Sequence, residues 1–187
     1  MKITMNRTAY YAVAWLAAVS LAVGLAFVFP NEAKVMGQLP AFVSQTLTRK
    51  PVALPEGLPS DRTLALITFK REHRAQADSW VEGLNLKNDP SITWVRIPVL
   101  NDPGTAGERT AAESRLLERY TADVDRAKIV PVFTDRSDFV RAVGLNGTDK
   151  SYAVVVNRAG EVLARVEGPF DADKAKILRE TLDPSRK

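Results

Sequence analysis

The 187-residue chain contains no cysteine and a single histidine, His73. Without thiols it forms no disulfide, offers no thiolate nucleophile and supplies no sulfur ligand to a metal. One imidazole and no dense cluster of carboxylates also argue against a first-row transition-metal site, which draws on several such ligands. No metal and no cofactor is expected. Charge of one sign is equally scarce: 26 Lys and Arg against 22 Asp and Glu leave a net +4. That excess is spread along the chain, with no basic block and no interleaving of aromatic and basic residues, so nucleic acid is not an expected partner. There is no internal repeat and no low-complexity segment.

One long hydrophobic run is present. In "MKITMNRTAYYAVAWLAAVSLAVGLAFVFPNEAK" the basic residues Lys2 and Arg7 precede an uncharged stretch from Ala9 to Phe29. About 20 such residues match the bilayer core as a helix. Residues 1–30 are therefore expected to be a transmembrane anchor, with the basic end cytoplasmic and everything after Pro30 on the periplasmic or exterior side of the cytoplasmic membrane. A cleaved signal peptide shares the same basic and apolar parts. Its best cleavage site would be "GLA", Gly24 to Ala26, since "FVFPNEAK" is a poor one. Ala14, Ala18, Ala22 and Ala26 form a ridge of small residues on which another membrane helix could pack.

Residues 31–60 are rich in Pro and polar residues, with "LPAFVSQTL" and "KPVALP" reading as a linker and small hairpin whose second strand is limited by Pro51. Residues 61–187 form the main domain. "TLALITF" (Thr63 to Phe69) is a continuous apolar run, as a strand buried on both faces should be. Ala77, Trp80, Val81 and Leu84 follow at helical spacing, and "SITWVRIPVL" is a second buried strand. Ala112, Leu116, Tyr120 and Val124 predict a helix stripe, its other faces carrying Glu108, Arg109, Glu113, Arg115, Glu118 and Arg119 as a solvated surface. "KIVPVFTD" is a third short strand. Ser137 is placed to cap a brief helix burying Phe139, Val140 and Val143, which Gly144 ends. "SYAVVVNRAGEVLARVEG" reads as strand, turn at Arg158-Ala159-Gly160, and an edge strand with Val162, Ala164 and Val166 on one face. Asp171 caps a last helix with Ala175, Leu178 and Leu182 inward.

This order, a hairpin, then βαβαβα, then ββα, resembles the thioredoxin-like fold, a central mixed sheet flanked by helices. "VFTDRSDFVRAVGL" and "YAVVVNRAGEVLARVEG" are similar to segments of its redoxin or peroxiredoxin-type branch, and "GQLPAFVSQTLTRKPVALP" to that branch's extension before the domain. The resemblance implies an active-site CxxC where this chain has Arg74 to Ala77, "RAQA", and a cis-proline where it has Ser151-Tyr152. Both redox hallmarks are absent, so no disulfide reductase or peroxidase activity is expected. "ALITFKREHRAQADSWVEGL", with "SYAVVVNRAGEVLARVEG", further resembles the mitochondrial ATP synthase assembly-factor family and its bacterial relatives. That likeness implies a thioredoxin-like domain acting at an energy-transducing membrane without an obvious dithiol, on the inner side of that membrane, whereas the topology argued above faces this domain outward.

Arg71, Glu72, His73, Arg74 and Gln76 fall at the strand-to-helix junction, a candidate protein-contact patch with His73 able to titrate near neutrality; a plain solvated loop is the alternative. His73, Asp78 and Ser79 lie too close in sequence for a catalytic relay, which is assembled from distant segments. Trp80 and Trp94 fall on apolar faces and are expected in the core. The functional expectation is a membrane-anchored, redox-inactive binding or assembly module with a membrane-protein partner; the alternative is an exported enzyme using non-thiol chemistry on a small substrate.

Overall fold

A computed structural model of the chain describes residues 35–183; the apolar run at 9–29, and with it the expected membrane span, lies outside the described residues. Among the described residues no helix is long and apolar enough to cross a membrane. The elements follow in chain order as β1 (Phe42–Gln45), β2 (Pro51–Leu54), β3 (Thr63–Thr68), α1 (His73–Gly83), β4 (Trp94–Leu100), α2 (Ala106–Arg119), α3 (Asp123–Arg126), β5 (Val132–Phe133), α4 (Arg136–Val143), β6 (Tyr152–Val156), β7 (Val162–Glu167) and α5 (Ala172–Leu182).

β3 is apolar at both parities and buried on both faces, so it must lie inside a sheet covered on each side. It is the middle strand of five, in the order β5-β4-β3-β6-β7. β4 pairs with it in parallel and β5 lies parallel beyond β4. β6 pairs with β3 antiparallel, and β7 with β6. On one face Ala65 and Ile67 meet Phe139 and Val143 of α4 and Leu54 of the β1-β2 hairpin. On the other, Leu64 and Leu66 meet Ala77, Trp80 and Val81 of α1 and Ala175 and Leu178 of α5. The hairpin forms as the sequence predicts, with Pro51 starting β2 opposite Gln45, where its missing N–H costs least.

Three expectations are corrected. α4 is capped by Asp135, whose Oδ1 accepts from the N–H groups of Ser137 and Asp138; Ser137 lies inside the first turn. A carboxylate is at least as good a cap as a hydroxyl and also suits the positive end of the helix. The stripe predicted through Val124 breaks after Tyr120, because α2 ends at Arg119 and Val124 sits exposed in the separate short helix α3. In β7, the pairing shifts by one residue between Val155, opposite Ala164, and Val156, opposite Val162. This bulge sends Val162 to the α4 face while Ala164 and Val166 pack on the α1 and α5 face. Gly144 does end α4, in the left-handed region at φ +73°, and a Cβ there would meet the Met36 carbonyl oxygen at 2.2 Å.

The last helix gives a direct check on this layering. Leu178 is fully buried against the sheet while its neighbour Ile177 is half exposed. Leu178→Ala is expected to lower unfolding free energy by about 3 kcal/mol, and Ile177→Ala by less than about 1 kcal/mol. Chemical denaturation of the two variants measures both.

Candidate functional site

β3 ends at Thr68, and the chain turns through Lys70, Arg71 and Glu72 before α1 begins at His73. The first turn of α1 faces inward as well as outward. His73 is 3% exposed. Its Nδ1 accepts from the Phe69 N–H at 3.3 Å, and its Nε2 is 3.2 Å from the Asp149 carbonyl oxygen. Only the neutral tautomer with hydrogen on Nε2 satisfies both contacts. Burial pushes the imidazole pKa below its ordinary 6.5, opposed in part by the hydrogen bond to Asp149.

One turn on, Gln76 Oε1 accepts from both the N–H (3.0 Å) and the hydroxyl (2.9 Å) of Ser151. Ser79 Oγ donates to the Gln76 carbonyl and accepts from the Phe170 N–H, and Trp80 Nε1 donates to the Gly168 carbonyl at 2.9 Å. α1 is thus tied along its length to the segments before β6 and after β7. The seat of the expected dithiol, Arg74 to Ala77, holds no nucleophile: Ala77 is buried and Gln76 is engaged with Ser151, at the position where the fold's proline is expected. His73, Asp78 and Ser79 form no relay, since each is committed to a different partner.

Beside this junction lies a cleft of about 370 Å³. Lys70, Arg71, Arg74, Arg115, Arg119 and Arg136 line it, and no carboxylate among the described residues does. Phe69, Pro98, Leu100 and Leu116 give it an apolar floor, with Tyr120 on one wall. The cations come from the β3-α1 turn, from α1, from α2 and from α4. Arg115 and Arg119 are one helical turn apart on one face of α2, beside the buried Leu116, and that face lines the cleft. Arg136 donates from Nε to the Val99 carbonyl. Arg74 stacks on Tyr120, 4.7 Å from the ring centroid.

A second cleft, of about 390 Å³, shares Arg74 and Tyr120 with the first. Within it Arg96 of β4 is buried, its Nη2 donating to Asp78 Oδ1 at 2.6 Å while Asp78 Oδ2 faces Arg74 at 3.4 Å. The Arg96 guanidinium also lies within 6 Å of the Trp94 and Tyr120 ring centroids, and its Nη1 has no hydrogen-bond partner among the described residues. Among the described residues no group of three or more His, Asp or Glu side chains is placed to hold a metal ion.

The five residues predicted as a contact patch divide. Arg71 and Glu72 are exposed and Arg74 is half buried, whereas His73 is enclosed and Gln76 turns toward Ser151. Lys70, Arg115, Arg119 and Arg136 join Arg71 and Arg74 in space without being expected there. The sequence reads Arg115 and Arg119 as part of a solvated face; their four-residue spacing around Leu116 is the signal that could have found them. Trp80 and Trp94 are core residues, as expected.

Solved structures share this fold at low identity. A protein of Aquifex aeolicus VF5, described as a candidate electron transfer protein, is similar with a TM-score of 0.54 and 14% identity, over 79% of this chain and 98% of that one. BsSco, described as a member of the Sco family of cytochrome c oxidase assembly proteins and as containing a disulfide switch, is similar with a TM-score of 0.51 and 16% identity, over 78% of this chain and 91% of that one. At such identities the likeness concerns the fold, which is thioredoxin-like, and neither protein is described as an ATP synthase assembly factor. No family model and no curated protein sequence matches the chain.

The buried imidazole makes stability depend on pH. Well above 6.5 His73 is neutral in both states and the fold has its full stability. As the pH falls below 6.5 the unfolded chain takes up a proton that folded His73 resists, so stability declines until the folded pKa is passed. Carboxylates held below their ordinary values by their partners, Asp102 and Asp149 from 3.8 and Glu167 from 4.5, lose their contribution only as the pH falls through and below those values, so most of the window belongs to His73. Urea melts between pH 7.5 and 5 are expected to show this decline, and His73→Gln to remove it while lowering stability at every pH.

Proposed function

We propose that this chain is a redox-inactive thioredoxin-like binding module, tethered by its first 30 residues to the outer face of the cytoplasmic membrane, where it engages a membrane-protein partner and serves its assembly. The observation that carries the reading is the state of the junction between β3 and α1. Where the fold can present a reactive pair to solvent, this chain places a buried alanine, a glutamine bonded to Ser151 and an enclosed neutral histidine. Those contacts lock the helix to its neighbours and leave no group able to attack a disulfide or a peroxide.

What the same edge offers outward is charge. Arg71, Glu72 and Arg74 are the members of the predicted patch that a partner can reach, with His73 and Gln76 holding the surface in shape. BsSco, which shares the fold, is described as belonging to a family of oxidase assembly proteins, and the motifs resembling the ATP synthase assembly factors point to the same kind of task. A tether adds to this by confining the domain to the membrane plane and raising its effective concentration towards integral proteins.

Two measurements test the proposal. Purified protein is expected to catalyse neither insulin-type disulfide reduction nor peroxide turnover above a contaminant control. In cells the chain is expected to stay with membranes after high-salt and carbonate washing, and a detergent pull-down to recover one membrane complex repeatedly. Turnover of a small exported compound with no recurrent partner would instead favour an enzyme using non-thiol chemistry.

The patch has its own test. Replacing Arg71, Glu72 and Arg74 together by Ala is expected to lower stability by no more than about 1.5 kcal/mol in total, since the one ion pair they make among the described residues, Arg74 with Asp78, is partly exposed. Recovery of the complex by this folded variant is expected to fall.

A further inference from the structure

The two clefts that meet at Arg74 and Tyr120 differ in charge balance. In one, Arg74, Lys87 and Arg96 face Asp78, Glu82 and Asp125, and all three cations are in ion pairs with Asp78 or Asp125. In the other, six cations line the wall and no carboxylate among the described residues does. Lys70 and Arg74 find partners outside it, in Asp149 and Asp78. Arg71, Arg115, Arg119 and Arg136 make no ion pair among the described residues. Four cations without an ion-pair partner among the described residues thus share one cleft, and none of its described lining residues is a carboxylate. Positive charge is therefore concentrated here, and an arrangement that repels itself when empty is relieved by an anion.

The lining narrows the class of anion. Five of the six cations are arginines, whose planar forks pair with carboxylates through two parallel hydrogen bonds. Below them the floor is apolar, formed by Phe69, Pro98, Leu100 and Leu116. A bare inorganic anion uses the rim and leaves that floor wet. A chain carrying carboxylates beside an apolar side chain uses both, in the pattern of an apolar centre and a polar rim common to protein interfaces. The volume, about 370 Å³, admits one or two side chains.

We propose that this cleft docks an acidic segment of a polypeptide, its carboxylates meeting Arg71, Arg115, Arg119 and Arg136 while an adjoining apolar side chain enters against Leu100 and Leu116. The inference rests on the binding-module reading and supplies the chemistry of the partner.

The test uses the full chain in detergent and a fluorescein-labelled peptide of about twelve residues alternating Glu and Leu. Fluorescence anisotropy is expected to show saturable binding that weakens steeply with salt. The double variant Arg115→Glu, Arg119→Glu is expected to bind at least about tenfold more weakly, because two attractions become repulsions. Lys176→Glu, an exposed cation of α5 outside the cleft, is expected to bind as the native protein does, and melting curves establish that both variants are folded. A peptide of Glu and Ser in alternation is expected to bind more weakly than the Leu-bearing one.

Equal affinity in the two variants, or no binding by the native chain, overturns the proposal. Complete displacement of the peptide by inorganic phosphate at equal charge assigns the cleft to a free anion, and binding to phosphatidylglycerol vesicles with no affinity for the peptide assigns it to a lipid surface; either result also overturns it. The broader reading fails separately, through a native pull-down that recovers no complex. If the double variant recovers the same complex as the native chain, the module binds elsewhere and only the cleft assignment falls.

Discussion

β3 has no wet face, and that constraint organises the domain. Its side chains alternate between two cores that never meet, Ala65 and Ile67 on one side and Leu64 and Leu66 on the other, all essentially inaccessible to solvent. Polar backbone in such a position has to be paired on both edges, which β4 and β6 supply. Each face then needs its own cover. α1 and α5 close one side and α4 with the hairpin the other, so removing any layer would leave a large apolar area exposed to water.

The end of β3 inherits this order and turns it into a fixed surface. Because the strand is immobilised from both sides, the turn after Thr68 emerges at a defined place, and His73 can reach back to the Phe69 amide and across to Asp149. The histidine is a clasp between two segments distant in sequence. Its neutral state follows from the same geometry, since a second ring hydrogen would point at the Phe69 N–H instead of accepting from it. Gln76 repeats the pattern with Ser151. At a location where this fold can keep polar groups free for chemistry, the chain commits them to internal contacts, and the surface that remains is defined by charge.

That charge is arranged unequally. Around Arg96 and Asp78 opposite signs interleave and neutralise one another, while across the Arg74-Tyr120 stack the arginines of α1, α2 and α4 converge with no carboxylate of the described residues among them. The pair of buried Arg96 with the partly exposed Asp78 ties β4 to α1. An unneutralised cleft at the rim favours ligands that bring negative charge.

Much of the fold was legible because its causes are local. Runs such as "TLALITF", the helical spacing of Ala77, Trp80 and Val81, the Asp171 cap and the glycine at 144 each act within a few residues, and each produced the element expected of it. The absence of cysteine excludes thiol chemistry whatever the chain folds into, because no arrangement in space can supply a missing thiolate. Only the tertiary structure decided the rest. The bulge that splits Val162 from Ala164 answers to the strand opposite, and the enclosure of His73 needs Asp149, 76 residues away. The cationic cleft needs Lys70 and Arg71, Arg115 and Arg119, and Arg136 brought together from separate segments. Periodicity says which way a side chain points on its own element; what it meets there is set by elements far along the chain, whose placement depends on burying β3.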